Sequence, residues 1–173
     1  MVLFKKQVAG TSAAALGRFV ANARRAAKLR GSVTVLITNN AEMKKLNHRF
    51  RNKDKATDVL SFPEDATPHN KSAGDLAISA DIARENAKNL GHPVSQEIKV
   101  LILHGILHLA GYDHETDSGE MAREEQRLRK KLRLPVSLIQ RTEAIGKSDN
   151  RSKPSMKTVR KVANDKKQRG THR

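Results

Sequence analysis

A chain of 173 residues, 37% of them hydrophobic, carries enough apolar material for one cored domain and a tail. It has no cysteine, which excludes disulfides and thiolate metal sites and suits a reducing cytoplasm; no apolar run approaches the roughly eighteen residues of a membrane span, and no signal core opens the chain. The 34 Lys and Arg against 18 Asp and Glu leave a net charge of +16, which points to a polyanionic partner held through its phosphates, while one Tyr, four Phe and no Trp supply little for stacking on bases.

In chain order, residues 11–30 read as a basic amphipathic helix: Leu16, Phe19, Val20, Ala23 and Ala27 recur at helical spacing among Arg18, Arg24, Arg25 and Lys28, and Gly31 ends it. SVTVLIT, 32–38, alternates as a strand, and Asn39 offers an N-cap to a helix whose apolar positions are Met43, Leu46 and Phe50. After the polar loop RNKDKATD comes a short strand at 59–62 closed by Pro63; Glu64 to Ala73 has loop composition, and 76–79 is a further strand, so the sheet has at least three. A helix over 80–90 stops at Gly91. Pro93 and Ser95 open the next, whose VLILHGILHLA is apolar on nearly every side and belongs at the domain centre. Gly111 supplies a left-handed exit, and Asp117 with Glu120 resembles a capping box for a charged helix over 118–132.

Strands and helices interleave without strict alternation, so the expected class is α+β: a small mixed sheet with packed helices, over residues 1–145. From Gly146 the composition changes. Residues 146–173 hold ten Lys and Arg against two Asp, half the net charge, with too few apolar residues for a core; a disordered basic tail, tethering the protein to RNA, is the expectation there.

Residues 104–114 spell HGILHLAGYDH. His104 and His108, four apart on a helix, share a face one turn apart, where two imidazoles can reach one ion. Gly111 breaks the helix and lets His114 close a third corner, leaving the fourth for water, the arrangement of a catalytic zinc site. On the most apolar helix of the chain, an unpaired imidazole costs on the order of 1–3 kcal/mol, and a shared ion removes that cost. The spacing is also the ligand skeleton of the metzincin proteases, giving the metal site a zincin-like placement. Gly105, however, stands where those enzymes carry the glutamate that takes a proton from water, which argues against a protease of that mechanism.

HGILHLAGYDH together with LNHRFRNKDKATDVLSFP, residues 46–63, resembles the YbeY family of bacterial metal-dependent endoribonucleases over roughly residues 31–132. The resemblance implies a mixed sheet with the metal in a cleft beside the central helix and one Zn²⁺ on His104, His108 and His114. It also implies Arg51 as the functional arginine and GDLAIS, 74–79, as the strand at the cleft. Its implied function is single-strand-specific cleavage of RNA in ribosomal RNA maturation: late small-subunit processing at the 16S rRNA 3′ end, and ribosome quality control. The partners would be rRNA and the small subunit in the cytoplasm, with neither DNA nor membrane expected. Two positions depart from the family. Ala56 replaces a common proline, and the N-terminal strand is reduced to MVLF at best.

On this reading the ion acidifies water and polarises a phosphoryl oxygen, while Arg51 holds the phosphate through paired N–H donors. The residues leave open whether the 2′-hydroxyl or water attacks phosphorus. Asp113, Glu115, Asp75 and Glu97 are candidates to assist or to support the ligands, Glu97 because it lies seven residues before His104 on one helical face. His48, His69, His92 and His172 lack ligand spacing and read as surface residues. Two other functions fit the residues: an assembly factor that acts by binding RNA or protein, and a metallohydrolase with another substrate.

Overall fold

The computed structural model describes residues 1–64, 71–114 and 116–135. Nine elements follow one another: β1 (Val2–Phe4), α1 (Ala13–Ala26), β2 (Ser32–Thr38), α2 (Asn40–Arg51), β3 (Val59–Pro63), β4 (Ser72–Ser79), α3 (Ala80–Leu90), α4 (Val94–Leu109) and α5 (Glu120–Leu132). The strands form one mixed sheet in the order β1-β2-β4-β3, with β1, β2 and β4 parallel and β3 antiparallel to β4 along an edge. This is the expected α+β class, with a fourth strand supplied by the brief N-terminal segment.

Local chemistry sets most boundaries. Asn39 caps α2 by accepting from the Glu42 amide at 2.9 Å, and Ser79 caps α3 by accepting from Ile82 at 3.1 Å. Three ends differ from expectation. α1 stops at Ala26, five residues before Gly31, because Lys28 takes the left-handed conformation that ends the helix. β4 starts at Ser72, four residues earlier than the apolar run suggests; its first half pairs with β2 and β3 through backbone bonds that composition does not report. α5 starts at Glu120, not 118: the Asp117 carboxylate accepts from the amides of Gly119 at 2.7 Å and Met121 at 2.8 Å, so the cap is a single aspartate and Glu120 takes no reciprocal part.

The pleat sends alternate side chains to opposite faces. Val33, Val35 and Ile37 of β2, with Leu76 and Ile78 of β4, join α1, α4 and α5 in the main core. On the other face, Ala77 and Leu60 meet Met43 of α2 in a small second cluster. α4 is buried from Ile98 to Leu109 on all but two positions, Lys99 and His108, which is why its sequence shows almost no polar face. It lies close on the sheet: a Cβ at Gly105 would come within 2.7 Å of Leu76 Cδ2, so that position faces β4. Gly74, at φ +132°, lies against the Phe62 carbonyl oxygen and the Leu109 side chain, a place and a conformation closed to other residues. The tail from 146, with the 1–145 boundary, lies outside the described residues, as do His69, His172 and Glu115.

Candidate metal centre

The last two turns of α4 carry His104 and His108 to the end of the buried helix. Gly111, at φ +90°, then turns the chain so that His114 comes back beside them. The three ring centroids form a near-regular triangle, 4.8 Å from His104 to His108 and 5.3 Å from each to His114. One ligand atom from each ring lies within 4.8 Å of those of the other two. The inward gradient is steep: His104 is buried, His108 partly so, His114 exposed.

The geometry fits an ion. Nε2 of His104 and Nε2 of His108 lie 3.1 Å apart. Two nitrogens each about 2.0–2.1 Å from a tetrahedral zinc stand roughly 3.3 Å apart, so this pair needs almost no adjustment. The exposed His114 is the ligand with room to turn. His104 Nδ1 lies 3.1 Å from Glu125 Oε2, with both side chains buried; the carboxylate accepts the Nδ1 proton and so leaves the Nε2 lone pair directed at the shared point. His108 is held low, at about 4, chiefly by burial and then by His104 and His114, opposed by a hydrogen bond to the Tyr112 backbone and by the Asp113 charge. It is therefore neutral, the form that ligates, throughout the physiological range. Three imidazole nitrogen donors and no thiolate suit a borderline divalent ion such as zinc.

The other expected site residues are distributed unevenly. Asp113 is near enough for its charge to act on His108, and its own carboxylate accepts from Thr116 Oγ1 at 3.0 Å. Glu97 is fully buried but engaged elsewhere: His92 Nε2 lies 3.2 Å from its Oε2, off the line of a hydrogen bond, and Asn86 donates to its Oε1 at 3.4 Å. His92, expected on the surface, is thus largely enclosed. Asp75 is exposed on β4 opposite Phe62, on the face away from Leu76 and α4. Arg51 is the last residue of α2, exposed, and bonded to no described residue. The residue that sequence reasoning missed is Glu125. Its signal was available: Met121, Glu125 and Leu128 form the buried stripe of an otherwise charged α5, and a carboxylate within such a stripe requires a buried partner.

A mixed sheet with a buried helix presenting two histidines, and a third delivered by the turn after it, defines a class of α+β proteins with a three-histidine cluster that could hold one ion. The profile of the family described as endoribonuclease YbeY matches residues 5–133. The chain is 56% identical over 142 residues to "Endoribonuclease YbeY" of Koribacter versatilis, covering 82% of this chain and 91% of that one. It is 54% identical over 111 residues to the protein of the same name from Nautilia profundicola, covering 64% and 79%, and 45% identical over 143 residues to that of Solibacter usitatus, covering 83% and 95%. The solution structure of a Thermotoga maritima protein shares the fold, with a TM-score of 0.51 at 23% identity over 92% of this chain and all of that one. This chain belongs to the YbeY family.

Proposed function

We propose that this protein is a single-strand-specific, zinc-dependent endoribonuclease of ribosomal RNA maturation, working on the small subunit in the cytoplasm. The observation that carries the reading is the convergence of three imidazoles, one braced by a buried carboxylate, in a chain of this family and of net charge +16. His104, His108 and His114 hold one Zn²⁺. Bound there, the ion supplies Lewis acidity, acidifying water and polarising a phosphoryl oxygen. Glu125 fixes the tautomer and direction of His104, and Asp113 biases His108 electrostatically. Arg51, whose guanidinium is bonded to nothing else described, keeps its N–H donors for a phosphate and for charge that develops on it. Asp75 and Glu97 are not assigned a part: one faces away from α4 and the other is occupied by His92 and Asn86. The domain spans 1–145, and the basic segment 146–173 tethers the enzyme to RNA.

The test is cleavage of structured ribosomal RNA by purified protein with zinc, with chelator, and with Arg51→Ala and His108→Ala variants. Cleavage should require the ion and both residues, and cleavage that survives every one of these changes belongs to a contaminating nuclease. Binding of RNA without metal-dependent turnover would instead favour an assembly factor, which the same charge also suits. Gly105 offers no carboxylate where the metzincins carry their glutamate, so a peptide panel should stay uncut.

A further inference from the structure

The apolar stripe of α2 does not end where the core ends. Met43 is fully buried and Leu46 packs against the second cluster, but Phe50, one turn further, is 55% exposed. Its ring is held in place nonetheless. Phe62, on the edge strand β3, packs T-shaped with it, centroids 4.9 Å apart and planes at 66°, and the Arg49 guanidinium lies over one face of the Phe50 ring, 5.3 Å from its centroid. An exposed phenylalanine by itself needs no explanation. This one is a braced ring, against a sheet edge, inside a strongly basic stretch of the described chain. Residues 44–55 carry Lys44, Lys45, Arg49, Arg51, Lys53 and Lys55 against one acid, Asp54, which pairs with Lys44 at 3.1 Å. Exposed Asp75 lies opposite Phe62 in the strand register.

We propose that Phe50 is a stacking platform for one unpaired base of a bound RNA strand, with the surrounding Lys and Arg side chains holding the adjacent phosphates. This deepens the endoribonuclease reading and rests on it. A π-face within a cationic patch takes any base without regard to sequence, and takes it only when the base is unpaired, because a base within a duplex has both faces covered. Phe62 positions the platform through their T-shaped contact. The preference for single strands thereby resides in a side chain at the same helix end as Arg51, on the face of the sheet that carries α2.

The chain has no tryptophan, so Phe50→Trp places a single reporter at the platform. Emission of that variant should be quenched by a nuclease-resistant single-stranded phosphorothioate RNA and not by the same strand annealed to its complement. Phe50→Ala and Phe50→Leu should each weaken binding of the single strand by about 5- to 150-fold. The dependence of affinity on salt should stay that of the wild type, because no phosphate contact is removed. Phe50→Tyr should restore affinity. The leucine variant keeps an apolar side chain without a π-face, so full affinity in that variant overturns the proposal, as does tryptophan emission indifferent to a strand that the protein demonstrably binds. Wild-type protein that binds neither strand would remove the RNA reading itself, and this proposal with it.

Discussion

Replacing Glu125 separates the support of the metal centre from its ligands. The carboxylate is buried, 3.1 Å from His104 Nδ1, and holds the imidazole with its Nε2 lone pair turned toward His108. Glu125→Gln keeps an acceptor for the Nδ1 proton but removes the charge. Glu125→Leu leaves that proton unpaired in the core, at a cost of about 1–3 kcal/mol, and favours the other tautomer, whose proton then sits on the ligating nitrogen. Loss of such a partner typically weakens metal binding about 10- to 100-fold. At a free zinc concentration a thousand times the wild-type Kd, binding stabilises the fold by about 4.1 kcal/mol; after that weakening, roughly 2.7 to 1.4 kcal/mol remains. The assay is thermal unfolding with and without zinc, together with competition against a chromophoric chelator. The zinc-dependent rise in Tm should shrink by several degrees, more for leucine than for glutamine. If both variants lose stability equally with and without zinc while their zinc affinity stays that of the wild type, Glu125 is a core residue only and the reasoning fails.

Ala at His104 or His108 should abolish stoichiometric zinc binding measured by elemental analysis, whereas Ala at exposed His114 should leave weak residual binding through the two helical ligands. In the metal-free protein, His108 sits at about 4 against about 6.5 for an ordinary histidine, so between those values the unfolded chain binds a proton that the folded chain does not. Stability of the metal-free protein should therefore rise with pH across that window, and its Tm should fall as pH is lowered through it, less so in His108→Ala. Gly105→Ala should destabilise by about 1–3 kcal/mol in denaturant titrations, because the new methyl presses on buried Leu76; a more stable variant would mean that α4 does not lie so close to β4. Gly74→Ala should be worse, since it adds left-handed strain to a collision with the Phe62 carbonyl. Truncation after Ile145 should lower RNA affinity and flatten its salt dependence, and unchanged values would remove the tether.

The sequence by itself determined most of the elements and the cluster of three histidines. Alternation in SVTVLIT, the capping side chain of Asn39, the glycine exits at 91 and 111, and the unbroken apolar character of α4 are local matters of periodicity and backbone preference, and each stands where it was expected. The His104, His108 and His114 spacing was legible for the same reason: a helical turn and a glycine bring them together within eleven residues. Only the tertiary structure decided what lies beside them. Glu125 reaches His104 because α5 packs along α4, twenty-one residues later in the chain. Glu97 is drawn away by His92 across the α3–α4 turn, and the pleat of β4 sends Asp75 to the far face. β4 also runs four residues further than its composition implies, because its backbone finds partners on both sides. Local geometry is fixed by bonds between near neighbours; which distant side chain fills the space next to a ligand depends on how buried surfaces pack, and no spacing rule along the chain contains that information.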